Sequence, residues 1–191
     1  GRYSHTYGSA TGYLPGGLGW YAKSFSVPES AKGKKVFIYF EGVYNRSKVY
    51  LNGNLLGERP NGYVSFMYDL TPYLKYGNEV NDIRVEVDHT RYNDSRWYTG
   101  SGIYRDVYLV YAEPTHIDLW GTYCITKNVT KSKADFVVQT TLRNEQAKGA
   151  KAEVELSLYD RADGKLVATS KKAINLKAND SLVCEQTLKV K

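Results

Sequence analysis

The chain has 191 residues, of which 42% are hydrophobic and 24% charged, and this is the composition of a globular protein rather than a disordered one. The formal net charge is +6, but lysine and arginine are scattered, and no motif that reads nucleic acid accompanies them. We therefore expect no nucleic-acid binding. We also expect no membrane span, because no apolar run approaches the required length.

Short runs of alternating apolar and polar residues, bounded by Gly, Pro, Asn and Asp, predict an all-β protein. The Asn52-Gly53 dipeptide is typical of a hairpin turn. One helical turn is predicted at 70–74, with Asp69 as its cap and Gly77 at its end. In the first half of the chain the predicted strands are residues 20–27, 35–41, 47–51, 63–69, 82–88 and 103–111.

A domain boundary is predicted at Glu113-Pro114, because the proline breaks a strand and tyrosines become rarer beyond it. The first domain is then 1–113 and the second 114–191. Regular strands with short polar turns, such as Asp163-Gly164, favour an immunoglobulin-like sandwich for the second domain. The predicted strands there are residues 117–126, 134–143, 152–159, 165–176 and 182–190. Such a sandwich usually has about seven strands, so we expect this one to be incomplete at its C-terminus.

A catalytic centre is not evident in the sequence. Glycoside hydrolysis requires two carboxylates, and the available ones occupy strand ends and turns, where they have structural explanations. The carboxylates considered are Glu41, Glu58, Asp69 and Asp88. A nucleophile elbow is missing, and Pro15-Gly16-Gly17-Leu18-Gly19 leads into a strand rather than a helix, so it is interpreted as a sharp turn and not as a phosphate loop.

Metal and cofactor sites are not expected either. His5, His89 and His116 have no partner at helical spacing and no neighbouring cysteine. His89 follows a strand end and is the histidine best placed to line a pocket. Cys124 and Cys184 are interpreted as free thiols, although a disulfide between distant strands stays open.

A loop at 93–98 is the strongest candidate for a binding site. Asp94, Ser95, Arg96 and Trp97 precede Gly100-Ser101-Gly102, whose small residues permit a tight loop. Arginine and the aromatic residues offer hydrogen-bond donors and flat apolar faces, which suit a sugar ring. The alternative is structural: Trp97 and Tyr98 would fill the core, and Arg96 would pair with an acid.

Motifs in the first domain together resemble those of a known family. They are, in chain order, Gly19-Trp20-Tyr21 with Phe25 and Pro28, Phe40-Glu41-Gly42-Val43, Val49-Tyr50-Leu51-Asn52-Gly53 with Gly57, Gly62-Tyr63-Val64-Ser65-Phe66, Asp69-Leu70-Thr71-Pro72-Tyr73-Leu74, Val85-Glu86-Val87-Asp88 and Ser101-Gly102-Ile103-Tyr104-Arg105-Asp106-Val107. The ordered series resembles the N-terminal sugar-binding domain of glycoside hydrolase family two, especially in bacterial β-galactosidases. The second domain resembles the family's immunoglobulin-like domain by position and strand pattern only.

The resemblance implies a jelly-roll β-sandwich, then an immunoglobulin-like β-sandwich, then a (β/α)₈ barrel holding two catalytic glutamates of a retaining mechanism. The barrel would lie beyond Lys191, and the family's leading strands would precede Gly1. The chain is therefore expected to be a non-catalytic and inactive fragment. Its partners would be carbohydrate and the barrel of the same polypeptide, with a homo-oligomer left open.

Two departures from the family pattern leave the substrate undecided. Relatives often place a sugar-contacting aspartate shortly before the Ser-Gly-Ile segment, where this chain has Ser95 or Arg96, with Asp94 slightly upstream. Some β-galactosidases have an asparagine where this chain has Leu14. Two alternatives therefore stay open: a parent enzyme of β-glucuronidase or β-mannosidase specificity, and a free-standing carbohydrate-binding module. The resemblance implies a bacterial protein, in either the periplasm or the cytoplasm.

Overall fold

A computed structural model describes residues 16–91 and 99–190. The chain divides into two compact units, and the division falls between Tyr111 and Ala112. Both units are built from β-strands, with short 3₁₀ helices at Glu29–Ala31 and Thr71–Tyr73. The predicted all-β sandwich fold is therefore confirmed.

The described residues of the first unit form nine strands: β1 (Leu18–Phe25), β2 (Lys35–Phe40), β3 (Val43–Tyr44), β4 (Ser47–Leu51), β5 (Asn54–Arg59), β6 (Phe66–Asp69), β7 (Asn81–Asp88), β8 (Gly102–Ile103) and β9 (Val107–Ala112). These strands form two main sheets and a short third one. One sheet has the strand order β1-β7-β4-β5, the second β6-β2-β9, and the third pairs β3 with β8.

The core of the first unit lies between the two main sheets. Along β7, buried and less buried residues alternate, as the period of two requires of a strand with one face on a core. Phe40 of β2 stacks on Phe66 of β6 at a centroid distance of 4.9 Å. The buried cluster comprises Val36, Ile38, Phe40, Val43, Val49, Leu51, Phe66, Leu70, Ile83, Val85 and Val87. Residues from both sheets belong to it, which makes this unit a sandwich.

Local turn signals correctly predicted two connections. Asn52 and Gly53 have φ angles of 50° and 85°, the left-handed conformations that a type I′ hairpin turn requires, and they join β4 to β5. The predicted helical turn is the 3₁₀ helix Thr71–Tyr73, and the Asp69 carboxylate accepts a hydrogen bond from the Thr71 main-chain nitrogen at 2.9 Å. It ends at Tyr73 and not at Gly77 as predicted, because Leu74 is already extended.

Two strand predictions were wrong in extent. The predicted strand 63–69 begins only at Phe66, because the Asn61 side chain accepts a hydrogen bond from the Tyr63 nitrogen at 2.8 Å and holds a turn there. The predicted strand 103–111 is two strands, β8 and β9. β8 pairs with β3 whereas β9 joins β2, so the chain changes partner between Ile103 and Val107.

The second unit has five strands within the described residues: β10 (Thr115–Lys127), β11 (Ala134–Asn144), β12 (Ala150–Tyr159), β13 (Leu166–Leu176) and β14 (Asp180–Val190). One sheet has the order β10-β11-β14, and β12 pairs with β13. The core cluster contains Leu142, Val154, Ile174, Leu176 and Cys184. Both cysteines are free; Cys184 is buried and Cys124 is exposed.

Candidate functional site

The predicted binding residues Asp94, Ser95, Arg96 and Trp97 lie outside the described residues, within the stretch 92–98. What the structure describes is the scaffold on either side of that stretch. β7 ends at Asp88 before it, and β8 begins at Gly102 after it. The contacts of these two ends define where the predicted loop leaves and rejoins the sandwich.

The first anchor on the N-terminal side is Asp88. Its carboxylate accepts hydrogen bonds from the Thr90 main-chain nitrogen at 2.9 Å and the Thr90 hydroxyl at 2.6 Å. The Arg46 guanidinium pairs with the other carboxylate oxygen at 3.4 Å. The Thr90 hydrogen bonds, followed by that of Arg46, lower the pKa of Asp88 from 3.8 to about 2. Asp88 is therefore an ionised structural anchor at neutral pH.

The second anchor is His89, whose side chain connects the two sides of the stretch. Its Nδ1 lies 2.5 Å from the Ser101 hydroxyl, and its Nε2 lies 3.5 Å from the Thr99 hydroxyl. The imidazole also meets the Tyr44 ring edge-on, with a centroid distance of 5.1 Å and an interplanar angle of 78°. With 3% of its surface exposed, His89 is buried rather than pocket-lining. It holds residues 99–101 against the end of β7.

Glycines let the backbone pack closely around this anchor. The His89 nitrogen donates a hydrogen bond to the Gly17 carbonyl at 2.8 Å. A side chain at Gly16 would collide with the His89 carbonyl oxygen. Gly16 is therefore required for close approach to the end of β7, whereas a side chain at Gly17 or Gly19 would meet open space.

Several tyrosines lie at the same end of the sandwich as Asp88 and His89. Tyr63 packs on Tyr44 with ring centroids 5.3 Å apart and is 58% exposed. The Tyr104 hydroxyl donates a hydrogen bond to the Gly62 carbonyl at 2.8 Å, and Arg105 lies 5.8 Å above the Tyr104 ring. Tyr44 is buried, whereas Tyr63 and Tyr104 are partly exposed aromatic rings with polar hydroxyl groups, the kind of side chain that carbohydrate contacts use.

A shallow depression of about 280 Å³ lies beside the anchors, lined by Gly16, Gly17, Leu18, Gly19, Tyr21, Val87, Ser101 and Gly102. Ligand pockets usually measure about 300–1,000 Å³ and enclose most of the ligand. The described surface can therefore form one wall of a sugar site, but it does not enclose a sugar by itself.

Three of the carboxylates considered for catalysis, Asp69, Asp88 and Glu58, occupy structural positions. Asp69 forms an ion pair with Lys35 at 2.5 Å, and Asp88 pairs with Arg46. Glu58 lies opposite Lys48 in the β4–β5 ladder. Among residues 16–91 and 99–190, no three His, Cys, Asp or Glu side chains are grouped so that they could hold a metal ion. None of the helices in those ranges is long and apolar enough to cross a membrane.

Sequence reasoning missed Arg46 and Tyr44 as parts of this end of the molecule. Both follow β2 by a few residues and precede the stretch 92–98 by more than forty. The sequence around them contains no recognisable motif apart from Gly42-Val43. They lie next to Asp88 and His89 because β4 pairs with β7 and β3 pairs with β8.

Comparison with known proteins extends these observations. The chain is 46% identical over 184 residues to the β-galactosidase BoGH2A of Bacteroides ovatus, covering 96% of this chain and 21% of that protein. It is 38% identical over 186 residues to a β-glucuronidase of Formosa agariphila, covering 87% of this chain and 19% of that protein. The chain thus spans about a fifth of the length of these relatives.

Comparison with solved structures identifies the same kind of relatives. A glycosyl hydrolase family 2 member from Bacteroides cellulosilyticus superposes with a TM-score of 0.90 at 31% identity, covering 100% of this chain and 25% of that one. A β-glucuronidase of glycoside hydrolase family 2 gives a TM-score of 0.88 at 33% identity, covering 98% of this chain and 22% of that one. Residues 5–114 match the family described as glycosyl hydrolases family 2, sugar binding domain, and the chain therefore belongs to glycosyl hydrolase family 2.

Proposed function

We propose that the chain is the non-catalytic N-terminal part of a retaining, exo-acting β-galactosidase. The observation that carries this proposal is that the chain aligns along nearly its whole length with about a fifth of BoGH2A. The rest of such a polypeptide would supply the barrel and its two glutamates. The proposal of galactosides as substrates is supported by the 46% identity to a β-galactosidase, against 41% to a putative β-glucuronidase and 38% to a β-glucuronidase.

We propose that the first domain, residues 1–113, forms one side of the sugar-binding pocket. Asp94, Ser95, Arg96 and Trp97 would contact the terminal sugar, and the barrel would form the opposite wall. The anchoring of Asp88 and His89 supports this role, since both sides of the stretch 92–98 are held by hydrogen bonds. The partly exposed Tyr63 and Tyr104 at the same end are consistent with it.

We further propose that leading strands of the parent polypeptide complete this sandwich. β1 and β9 are the end strands of their sheets within the described residues. Between them opens an apolar groove of about 340 Å³, lined at its base by the buried residues Phe40 and Val85 and bordered by the more exposed Tyr21 and Leu109. An added strand would pair with a free edge and cover this groove, which removes the aggregation hazard of an open edge.

For the second domain, residues 114–191, we propose completion in the same manner by strands that follow Lys191. β12 and β13 pair only with each other among the described strands, and most residues of β13 are exposed. A two-stranded sheet is marginally stable unless other strands or helices cover it.

The test compares the chain with its parent on three aryl glycosides. We expect the full-length parent to hydrolyse aryl β-galactosides in preference to β-glucuronides and β-mannosides, and the 191-residue chain to hydrolyse none of them. Galactosidase turnover by the chain that one carboxylate substitution abolishes would refute the non-catalytic assignment. Preference of the parent for a glucuronide would refute the galactoside assignment alone.

Calorimetry distinguishes the parent-domain role from a free-standing carbohydrate-binding module. One wall of a pocket provides too little enclosure for tight binding. We therefore expect the isolated chain to bind galactose weakly or undetectably. Tight binding of galactose by the chain alone would instead support the binding module.

A further inference from the structure

The chain contains two Asn-Gly pairs, Asn52-Gly53 and Asn61-Gly62, and their side chains have different surroundings. An asparagine followed by glycine is open to a spontaneous reaction of its side chain with the main chain. Glycine has no side chain that would hinder the approach of its own nitrogen to the asparagine carboxamide. Because both asparagines precede glycine, a difference in reactivity between them has to come mainly from the fold.

The reaction joins the asparagine side chain to the main chain. The main-chain nitrogen of the glycine attacks Cγ of the asparagine, and the new C–N bond closes a five-membered succinimide ring. The Cγ–Nδ2 bond breaks, and Nδ2 leaves as ammonia with the proton of the attacking nitrogen. Water then opens the ring at either of its two carbonyls, which produces aspartate or isoaspartate. The rate depends on how closely the nitrogen and Cγ are held in the geometry of attack.

In the first pair, three hydrogen bonds hold the Asn52 carboxamide. Its Nδ2 donates to the Tyr73 carbonyl at 2.8 Å and to Asn81 Oδ1 at 2.9 Å. Its Oδ1 accepts a hydrogen bond from the Asp82 main-chain nitrogen at 2.9 Å. Attack by the Gly53 nitrogen would have to break these hydrogen bonds, and each broken bond adds to the barrier. The fold therefore protects Asn52.

In the second pair, a single hydrogen bond folds the Asn61 side chain over the following peptide. The Asn61 Oδ1 accepts from the Tyr63 main-chain nitrogen at 2.8 Å, which is the contact of an Asx turn. The Gly62 nitrogen lies within the ring that this hydrogen bond closes, so the turn keeps Cγ near it. The hydrogen bond also polarises the carboxamide carbonyl, which favours attack at Cγ. Within residues 16–91 and 99–190, neither Asn61 Nδ2 nor the Gly62 nitrogen has a hydrogen-bond partner, and Asn61 is exposed.

Two tyrosines hold this turn without engaging the attacking nitrogen. The Tyr104 hydroxyl donates a hydrogen bond to the Gly62 carbonyl at 2.8 Å. A side chain at Gly62 would collide with the Tyr44 ring, so the Gly62 Cα packs directly on that ring. The carbonyl and the Cα of Gly62 are thus fixed, while its nitrogen stays available on the side of Asn61.

We propose that Asn61 is a site of spontaneous deamidation in the folded chain, whereas Asn52 is protected. The inference concerns residues of this chain alone and does not depend on the function proposed above. Deamidation adds one negative charge beside Tyr63. Where the product is isoaspartate, the main chain also gains one carbon atom between residues 61 and 62, which displaces the Gly62 carbonyl from the Tyr104 hydroxyl.

The test incubates the folded 191-residue chain at mildly alkaline pH and quantifies both products by peptide mapping with mass spectrometry. We expect Asn61 to be converted about tenfold faster than Asn52, or more, because only its carboxamide is held near the attacking nitrogen. The same incubation in denaturant is the matched control, in which the two rates should become similar. Equal native rates, faster conversion of Asn52 or no native conversion of Asn61 would overturn the proposal. A preference for Asn61 that persists undiminished in denaturant would also overturn it, since flanking sequence would then be the cause.

Ion-exchange chromatography of variants supplies a second readout, because deamidation produces a more acidic species. Asn61→Gln should strongly reduce this species, since glutamine would have to close a less favourable six-membered ring. Asn54→Gln is the matched control: Asn54 is also exposed but precedes leucine, so its replacement should leave the acidic species unchanged. An undiminished acidic species in Asn61→Gln, or an equal loss in Asn54→Gln, would contradict the assignment of Asn61.

Discussion

Strand β7 begins at one buried polar residue, Asn81, and is followed directly by another, His89, and these two residues hold different parts of the chain. Asn81 is fully buried and accepts hydrogen bonds from the Lys75 nitrogen and the Asn52 side chain, both at 2.9 Å, while it donates to the Lys75 carbonyl at 2.8 Å. His89 instead contacts the hydroxyls of Ser101 and Thr99. Asn81 closes a structural turn, whereas His89 fastens the two sides of the predicted binding loop.

The comparison shows that burial of a polar residue does not by itself indicate function. Both residues are buried and hydrogen-bonded, as buried polar groups generally are. The difference is that the Asn81 side chain bonds main-chain groups of a turn beside the same strand, while the His89 side chain contacts hydroxyls that lie beyond the stretch 92–98. Only the second arrangement couples the sandwich to the proposed sugar contact, and the following predictions test that distinction.

The largest effect is expected for Asn81→Ala. The change removes three hydrogen bonds and leaves the Lys75 main-chain groups without their partner, which should lower the free energy of unfolding by about 3–4 kcal/mol. Chemical denaturation of the 191-residue chain measures this loss. In the parent, kcat/KM per folded molecule should stay unchanged, and a tenfold fall would contradict the structural role of this end.

His89→Ala should destabilise the chain by about 2–3 kcal/mol, because the packing on Tyr44 and the contact with Ser101 are lost. Unlike Asn81→Ala, it should also lower kcat/KM of the folded parent, about tenfold. His89→Asn keeps a polar atom near the position of Nδ1 and should restore most of the activity. If both His89 variants matched Asn81→Ala in leaving kcat/KM intact, the distinction between the two ends would fail.

Arg96→Ala tests the loop itself. If Arg96 contacts the sugar, kcat/KM of the parent should fall roughly tenfold to thirtyfold, which corresponds to about 1.4–2 kcal/mol, with the melting curve unchanged. Trp97→Ala measured alongside separates binding from packing. A core tryptophan would lose roughly 3–5 kcal/mol of stability on truncation, and normal kinetics with a depressed melting point would make the loop structural.

The smallest effect concerns Asp88 and pH. Its pKa is lowered to about 2 in the folded chain, so the carboxylate stabilises the fold above pH 4 and this contribution is lost as pH falls from about 4 to about 2. Because the side chain is partly exposed, the contribution should be only about 1 kcal/mol. The difference in unfolding free energy between wild type and Asp88→Asn should therefore shrink over that range. A difference independent of pH would contradict the assigned ion pair.

Much of the strand pattern could be predicted because its signals are local. The alternation at 47–51 matches β4 at both ends, and Asn52-Gly53 forms the hairpin turn. Predictions failed where a partner elsewhere in the chain intervenes. The run 103–111 is continuous in sequence but changes sheets, and the run 117–126 contains a bulge between Ile117 and Thr122, which depends on Arg143.

The sequence by itself determined the all-β class, most strand positions and the membership of glycosyl hydrolase family 2. These properties could be predicted because alternation, turn residues and motifs each involve only a few neighbouring residues. Tertiary structure decided which polar residues meet. Arg46 reaches Asp88, and His89 reaches Ser101, only because antiparallel pairing places distant chain segments at one end of the sandwich. Side-chain hydrogen bonds form over about 3 Å, and their partners can be any number of residues apart in the sequence. The anchors of the proposed site can therefore be identified only in the folded chain.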